Sequence, residues 1–246
     1  MTLLDGLTDA QSAAVSTHEG PLLVLAGPGS GKTMVVTRRI AHLVASGVDP
    51  AGILALTFTN KAARQMRERV EQLLGEEVTG GMQVSTFHAF CARQLRIWSD
   101  AAGVSPNYSI WDTSDQRDAA KRAVVDAGLS TSNWPPASVL SVISSAKNKL
   151  QNAAAFEADA MDFNDRMIAK VYTRYEALLR ENDAMDFDDL LRHVAHLLRD
   201  DEDVRASFAR RWQYILVDEY QDTNFAQFVI ASGLAKGHRN ICVVGD

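Results

Sequence analysis

The sequence predicts an α/β fold whose core is a parallel sheet, with an all-helical domain inserted into that core. Strand and helix patterns alternate at the start of the chain, and repeated strand–helix units form a parallel sheet that is covered on both faces. From about Pro106 to Asp186 almost only helical patterns occur, and strand patterns return at Tyr214. The predicted domains are the first part of the core at 1–105, the helical insertion at 106–185 and the second part of the core at 186–246.

The first strand–helix unit contains a glycine-rich loop. An apolar strand predicted at 22–26 precedes a helix predicted at 32–46, and the glycines between them let backbone N–H groups turn towards phosphate oxygens. Strand, glycine loop and helix in this order indicate a site for a nucleoside triphosphate such as ATP. Lys32 would reach the β- and γ-phosphates, and the hydroxyl of Thr33 would ligate Mg²⁺. The predicted nucleotide-binding residues of this loop are Ala26, Gly27, Pro28, Gly29, Ser30, Gly31, Lys32 and Thr33.

Two further strand–helix units follow the glycine loop. Their strands are predicted at 53–58 and 83–87, and their helices at 61–74 and 89–102. A glycine stands just after each helix, which is the usual terminator. These units extend the predicted parallel sheet.

The helical insertion is predicted from helix-start signals and an apolar stripe. Thr113 and Gln116 have the spacing of a capping box, which would open a helix that runs to Ala127. Pro135 and the proline after it would start a second helix that runs to about Leu150. The apolar face of a third helix consists of Met167, Val171, Tyr175, Leu178 and Leu179.

Carboxylates follow the apolar strand predicted at 214–217. The carboxyl ends of parallel strands are where such sheets bind ligands. Asp218 would hold Mg²⁺ through its water shell, and Glu219 would orient and deprotonate the water that attacks the γ-phosphate. For Asp222 and Asn224 an alternative stays open: they could cap the helix that starts near Asn224, since Asp and Asn are good N-caps.

Composition and charge set broad limits. The chain is 46% hydrophobic and 23% charged, as is ordinary for a globular protein, and no apolar run approaches the roughly 20 residues of a membrane helix. Cys91 and Cys242 lack metal-ligand spacing and are expected to be buried thiols in a reducing compartment, which predicts a cytoplasmic location. The net charge is −6, but basic residues outnumber acidic ones in 34–74, so an interaction with DNA is compatible with the composition.

The second strand runs into polar and basic residues that suit nucleic acid. Hydroxyl, amide and basic groups at 57–61 stand at a helix N-terminus, where they could contact backbone phosphates. Phe58 among them could stack on an unpaired base. Periodicity alone favours the alternative that Phe58 belongs to the core and that the basic residues form a solvated helix face.

Four segments, together with the glycine loop, resemble successive motifs of a known family. They are Thr57–Met66, Ser85–Phe90, Met185–Leu191 and Val217–Thr223. In this order and spacing they are similar to the motifs of superfamily 1 DNA helicases, most of all the UvrD/Rep/PcrA group, and the resemblance covers the whole chain. It implies a RecA-like P-loop NTPase core that uses ATP hydrolysis for 3′→5′ movement on single-stranded DNA and for duplex unwinding.

The resemblance also implies roles for individual residues. Gln11 matches a glutamine that reads the adenine edge, although Thr8 and Gln11 also have capping-box spacing. Gln221 matches the residue that links the γ-phosphate site to the DNA side, which adds it to Lys32, Asp218 and Glu219 as a catalytic residue. The matched single-strand-binding residues are Thr57, Phe58, Thr59, Asn60, Lys61, Thr86, Phe87 and His88.

Two positions require separate interpretation. The segment from Asp186 to Leu191 matches one that borders the DNA path, but its carboxylates would repel phosphate. We therefore expect Phe187 and Leu190 to pack and Asp188 to hold a helix start. Met34 stands where the family usually carries arginine, so a positive contact near the nucleotide is in question.

The end of the chain resembles the opening of the family's third motif. Val243–Asp246 match that opening, and the resemblance implies that a second motor domain with arginine fingers lies outside the chain. The implied cofactors are ATP and Mg²⁺, and the implied partners are single-stranded DNA, single-strand/duplex junctions and this second motor domain. Two alternatives stay open: an ATP- and DNA-binding module with little activity, and the helicase part of a helicase–nuclease.

Overall fold

A computed structural model describes residues 3–246 and has a parallel sheet of five strands in the order β1-β7-β6-β2-β3. A short parallel pair, β4 and β5, forms a separate sheet, for which the sequence contains no strand pattern. The strands are β1 (Leu22–Leu25), β2 (Ile53–Thr57), β3 (Gln83–Thr86), β4 (Ser109–Ile110), β5 (Ala184–Met185), β6 (Tyr214–Val217) and β7 (Ile241–Gly245). The mixed α/β fold with a parallel sheet is confirmed.

Helices connect these strands and make up the predicted insertion. The helices are α1 (Asp9–Ser16), α2 (Lys32–Ala45), α3 (Asn60–Leu74), α4 (Glu76–Thr79), α5 (Phe87–Ile97), α6 (Ser99–Ala102), α7 (Thr113–Asp126), α8 (Pro136–Asn148), α9 (Ala153–Ala158), α10 (Phe163–Glu181), α11 (Phe187–Asp200), α12 (Glu202–Arg211) and α13 (Phe225–Ala235). Short 3₁₀ turns lie at Pro50–Gly52 and Tyr220–Asp222. Among the described residues, no helix has the length and apolar character needed to cross a membrane.

Internal contacts divide the chain into two units. The first contains the residues up to Phe90, Leu198–Thr223 and Phe228–Asp246, and the second contains Cys91–Leu197 and Asn224–Gln227. The helical unit is therefore longer at both ends than the predicted insertion at 106–185. The difference arises because most of α5 and α11 groups with the helices between them rather than with the sheet.

The core of the first unit lies between the sheet and helices α2 and α3. Val36 and Ile40 of α2 share a hydrophobic cluster with Met66 of α3 and with side chains of the strands. Strand β2 is buried along its whole length, as expected for a central parallel strand. Strand β1 lies at the sheet edge, and its Leu23 and Leu25 are 57% and 68% exposed. Strand β2 is thus covered on both faces, as expected, whereas one face of β1 is exposed.

The second unit has its own core, built from α7, α8 and α10. Val171, Tyr175, Leu178 and Leu179 are buried as the apolar stripe predicted, whereas Met167 is half-buried. The predicted capping box of α7 is displaced by one residue, because the N-cap is Asp112. The Asp112 carboxylate accepts from the backbone N–H groups at 114 and 115, and the carboxylate at 115 accepts from the Asp112 N–H. An aspartate is as good an N-cap as threonine, so the spacing signal identified the helix but not its cap.

Candidate nucleotide and DNA site

The glycine loop lies at the carboxyl end of β1 and the N-terminus of α2. The φ angles of Gly29 and Gly31 are 76° and 84°, a left-handed conformation that glycine adopts without strain. The Ala26 N–H donates to the Gly245 carbonyl, at 3.0 Å, which continues the pairing of β1 with β7 into the loop. The positive end of α2, a helix of 14 residues, therefore faces the space above the loop, where an anion is stabilised.

Lys32 folds back over this loop. Its ammonium donates to the carbonyls of Ala26, at 2.8 Å, and Gly27, at 3.3 Å, and it forms an ion pair with Asp246. The side chain of Lys32 is 10% exposed. The charge predicted to bind phosphate is thus positioned at the loop and balanced by a carboxylate.

Two carboxylates at the end of β6 face the same loop. The Thr33 hydroxyl donates to Asp218 Oδ2 at 3.4 Å, and the Glu219 N–H donates to Asp218 Oδ1 at 3.1 Å. Burial, and then the charge of Glu219, raises the pKa of Asp218 above its ordinary value. A cation bound beside Asp218 would lower this pKa again, because an opposite charge favours the ionised carboxylate.

Glu219 has a backbone conformation that is unusual for glutamate. Its φ angle is 54°, in the left-handed region. Such a conformation costs on the order of 1–3 kcal/mol and persists where the surroundings fix it, often at functional sites. Gln221 holds the carboxylate of this residue, because its side-chain amide donates to Glu219 Oε2 at 2.7 Å while its Oε1 accepts from the Asp246 N–H at 3.2 Å. The four predicted catalytic residues thus form one connected group.

The residue before Asp246 must be small for this arrangement. A Cβ atom added at Gly245 would lie 2.7 Å from Gln221 Oε1 and 3.2 Å from the Gln221 backbone nitrogen. The close approach of β7 to the turn at Tyr220–Asp222 thus depends on a glycine at the end of β7.

Gln11 forms the capping box that its spacing from Thr8 allowed, and it also contacts the glycine loop. Its Oε1 accepts from the Thr8 N–H at 2.9 Å and its own N–H donates to Thr8 Oγ1 at 3.3 Å, which is a capping box for α1. Its Nε2 donates to the Ser30 carbonyl at 2.9 Å. The capping alternative is therefore confirmed, and the same amide also contacts the glycine loop.

The two predicted DNA-binding segments lie side by side. Strands β2 and β3 are neighbours, and the register pairs Thr57 with Thr86 at their carboxyl ends. The hydroxyl of Thr86 accepts from the Ala89 N–H at 3.2 Å, and that of Thr57 donates to the Thr59 carbonyl at 3.2 Å. Thr59 in turn is the N-cap of α3. These hydroxyls fix the loops and helix starts at one edge of the sheet.

Burial separates these predicted DNA residues into two groups. The side chains of Thr57, Thr86 and Phe87 are buried, so in this conformation they cannot contact a DNA strand as the resemblance implied. Phe58 packs on Phe87 with ring centroids 5.8 Å apart and is itself half-buried. The more accessible members of the predicted set are Phe58, Thr59, Asn60, Lys61 and His88.

Comparison with known proteins identifies the family. The model of the UvrD/REP helicase N-terminal domain matches residues 7–246. The chain belongs to this family. It is 46% identical over its full length to a protein of Leuconostoc citreum named ATP-dependent DNA helicase PcrA, and 46% and 42% identical, over 99% of its length, to proteins of the same name from Bacillus subtilis and Staphylococcus aureus. The chain spans 33% of the length of each of these relatives.

The nucleotide cavity of this UvrD/REP-type domain also receives a side chain that the motifs did not indicate. A cavity of about 470 Å³ is lined by the glycine loop, Glu219, Met34 and Arg69 of α3. Met34 stands where the family usually has arginine, and no motif indicated a nucleotide contact for Arg69. A guanidinium from α3 thus stands at the cavity where residue 34 provides no charge. Because Arg69 is distant in sequence from the glycine loop, no short sequence pattern indicates that it lies at this cavity.

The acidic segment after β5 is structural in this UvrD/REP-type domain. Leu190 is buried as predicted, but Phe187 is 44% exposed. Asp186, rather than Asp188, holds the helix start: its Oδ1 accepts from the Asp189 N–H at 2.8 Å. Asp186 and Asp189 also bind the buried ammonium of Lys147, at 2.6 and 2.7 Å. The segment therefore ties α8 to α11, which sequence spacing did not predict.

Proposed function

We propose that this chain is the ATP-binding part of a DNA helicase that moves 3′→5′ along single-stranded DNA and unwinds duplexes by ATP hydrolysis. The observation that carries the proposal is the group formed by Lys32, Asp218, Glu219 and Gln221 at the glycine loop. Family membership and relatives named ATP-dependent DNA helicase PcrA support it.

The proposed chemistry assigns one task to each side chain. Lys32 exchanges its carbonyl and Asp246 contacts for the β- and γ-phosphates of ATP. Glu219 accepts a proton from the attacking water, and Gln221 holds the Glu219 carboxylate in place. Arg69 adds positive charge at the cavity wall.

The donor set near the carboxylates fits Mg²⁺. The Thr33 hydroxyl and Asp218 are hard oxygen ligands that already lie within 3.4 Å of each other, and Mg²⁺ is typically bound by one or two carboxylates together with substrate phosphates. Burial raises the pKa of Asp218, and a bound cation would favour its ionised form. When bound, the metal would neutralise charge on the phosphates.

A second motor domain is part of the proposal. In related phosphoryl transfers an arginine finger raises the rate by about 10³–10⁵-fold, and the family resemblance assigns such arginines to that domain. The 246-residue chain alone is then expected to bind ATP and single-stranded DNA with little turnover. The buried thiols of Cys91 and Cys242 support a cytoplasmic location, which we also propose.

Strand-displacement assays on the full-length protein test the proposed function. With ATP and Mg²⁺, a duplex with a 3′ single-stranded tail should be unwound, whereas a duplex with a 5′ tail should remain paired. Failure to unwind the 3′-tailed duplex, in a preparation that binds ATP, would overturn the helicase assignment. Fast DNA-stimulated turnover by the isolated chain would contradict the need for a second motor domain.

Replacing Phe58 with alanine should weaken binding of single-stranded DNA. Stacking of a base on an aromatic ring contributes about 1–3 kcal/mol, so the dissociation constant should rise roughly 5- to 150-fold. Fluorescence anisotropy with a labelled oligothymidine measures it at several salt concentrations. The salt slope should stay unchanged, because Phe58 carries no charge.

Phe163→Ala is the matched control for Phe58→Ala. Phe163 is 70% exposed, belongs to the helical unit and is not a member of the predicted DNA-binding set, so its loss removes a surface phenylalanine that has no predicted DNA contact. Because Phe58 packs on Phe87, urea unfolding of both variants should accompany the binding measurements. Equal affinities for Phe58→Ala and the unsubstituted protein would remove Phe58 from the DNA site.

A further inference from the structure

Helix α1 is held to α2 by a buried arginine at its C-terminal end. Arg39 of α2 is 2% exposed, and its Nη1 donates to the carbonyls of Ala14, at 2.9 Å, and Thr17. Its Nη2 donates to the carbonyl of His18 at 3.4 Å. The last carbonyls of a helix have no partners within the helix and form the negative end of its dipole, so the end of α1 stabilises the guanidinium. The ATP chemistry proposed above does not use this contact.

The neighbouring arginine of α2 holds the chain that leads into α1. Arg38 Nη1 donates to the carbonyl of Leu3 at 3.0 Å and to that of Asp5 at 2.6 Å. Between the two arginines, a small hydrophobic cluster joins α1 to α2 through Val15 and Val35. An isolated helix of eight residues is unstable in water, so the position of α1 depends on these contacts with α2. Both helices belong to the first unit.

The opposite end of α1 contacts the glycine loop. Gln11 lies in the first turn of α1, and its Nε2 donates to the Ser30 carbonyl at 2.9 Å. A Cβ atom added at Gly31 would lie 3.4 Å from this Nε2, so the amide lies directly against the loop backbone. Eight helical residues span only about 12 Å, so α1 moves as one short rod. Arg39 at one end of α1 therefore determines where Gln11 lies at the other.

The Gln11 contact sets the orientation of one peptide group of the loop. A trans peptide group is planar, and its C=O and N–H bonds point in opposite directions. Because the Ser30 carbonyl points towards Gln11, the Gly31 N–H points away from it. Gly31 lines the nucleotide cavity, and the N–H groups of such a loop bind phosphate oxygens. Since glycine accepts many backbone conformations, this peptide group could turn over if the Gln11 contact were lost.

We propose that Arg39 is a positioning residue for nucleotide binding, which fixes α1 on α2 and thereby holds the Gln11 amide on the Ser30 carbonyl. This inference rests on the proposed function. Arg39 acts on the shape of the phosphate-binding loop and not on the proposed base Glu219. Its loss therefore raises the dissociation constant and KM for ATP and leaves kcat at saturating ATP unchanged. The net contribution of one hydrogen bond corresponds to a rise of about two- to tenfold.

A double-mutant cycle in the full-length protein tests this connection. Arg39→Met removes the guanidinium, and Gln11→Met removes the amide that contacts the loop. Each single variant should raise the dissociation constant of a fluorescent ATP analogue about two- to tenfold. In the Gln11→Met background, Arg39→Met should raise it less than about 1.5-fold further, because the contact through which Arg39 acts is already gone. Independent effects of the two substitutions, an unchanged affinity in folded Arg39→Met, or a kcat lowered more than about twofold would overturn the proposal.

Hydrogen exchange without nucleotide separates this inference from the proposed function. In Arg39→Met, the peptides that cover α1 and those that cover the glycine loop with the first turn of α2 should both exchange faster than in the unsubstituted protein. Unchanged exchange of the loop peptides would overturn the positioning role, whether or not the protein hydrolyses ATP. If the exchange responds as expected but the unsubstituted protein does not bind ATP, the proposed function is overturned instead.

Two further variants separate positioning from a general loss of stability. Val204→Ala removes buried volume from α12 of the same unit, so it should lower the urea midpoint and leave the affinity for the ATP analogue unchanged. Arg39→Lys retains the charge but lacks the planar fork of the guanidinium, so it should raise the dissociation constant less than Arg39→Met does. If Arg39→Met does not fold, Arg39→Lys takes its place in the cycle, where independent effects would again overturn the proposal.

Discussion

Glutamine in place of Glu219 is expected to lower ATP turnover by at least about a hundredfold while ATP still binds, since a positioned general base contributes typically 10²–10⁴-fold. The amide has the shape of the carboxylate but cannot accept the proton of the attacking water. The Gln221 amide contacts the Glu219 side chain, and the Asp218 carboxylate contacts the Glu219 backbone N–H. Both groups should stay in place in the variant. The proposed nucleotide contacts at Lys32 and the glycine loop are unaffected, so affinity should be retained.

Turnover and affinity must be measured on the same preparation of the full-length protein. A coupled assay gives kcat with saturating single-stranded DNA, and a fluorescent ATP analogue gives the dissociation constant. Lys32→Ala provides the contrast, because it removes the proposed phosphate contact and should weaken binding as well as turnover. Glu77→Gln, a neutralised glutamate at an exposed position of α4, is the matched control. Normal turnover in Glu219→Gln would assign the base to another residue.

The geometry of the candidate nucleotide site could be predicted from sequence because its determinants are local. Glycines that need positive φ angles, a lysine and a threonine at a helix start, and carboxylates directly after a strand are all visible within short segments. A parallel sheet then brings the carboxyl ends of β1, β6 and β7 together, which follows from alternating strand and helix patterns. The approach of Asp218 to Thr33 is a consequence of that topology.

The remaining features depend on contacts that no short segment encodes. Phe87 and Thr86 match the family motif as well as Phe58 does, and only the packing of α5 shows that they are buried. Arg69 reaches the nucleotide cavity because α3 lies beside α2, a relation that periodicity does not contain. The exposed edge of β1 likewise reflects strand order, since the apolar run 22–25 is typical of a central strand.

Lys147 forms a buried ion pair that no local sequence pattern indicates, and its replacement should have a large effect on stability. Its side chain is fully buried, and its ammonium lies 2.6 Å from Asp186 and 2.7 Å from Asp189. Lys147→Met removes the charge but keeps much of the volume, which leaves two carboxylates buried together. Breaking a buried ion pair by removing one partner costs about 3–5 kcal/mol, so the free energy of unfolding of the helical unit should fall by that amount at pH 7.5.

The pH dependence of this loss distinguishes charge from packing. Burial, together with the charge of Asp189, already raises the pKa of Asp186 to about 6. For Asp189 burial acts in the same direction, but Lys147 and Arg192 outweigh it and hold the pKa below its ordinary value. Without Lys147 the pKa of both carboxyls should rise. Between pH 7.5 and 5 the folded variant then binds a proton that the unfolded chain does not bind, since its carboxyl pKa values lie near 4. The stability of Lys147→Met should therefore increase as pH falls from 7.5 to 5.

Urea unfolding followed by far-UV circular dichroism at pH 5, 6 and 7.5 measures this effect in the unsubstituted chain, Lys147→Met and Lys149→Met. Lys149 is exposed two residues further along, so Lys149→Met removes a lysine charge without stranding a carboxylate and should show little loss at any pH. The deficit of Lys147→Met should be largest at pH 7.5 and shrink towards pH 5. A deficit of the same size at all three pH values would indicate lost packing rather than an uncompensated charge. It would also mean that Asp186 and Asp189 are stabilised by other partners once the ammonium is gone. Two such partners are in place: Tyr175 lies 3.1 Å from Asp186, and Arg192 lies 3.0 Å from Asp189.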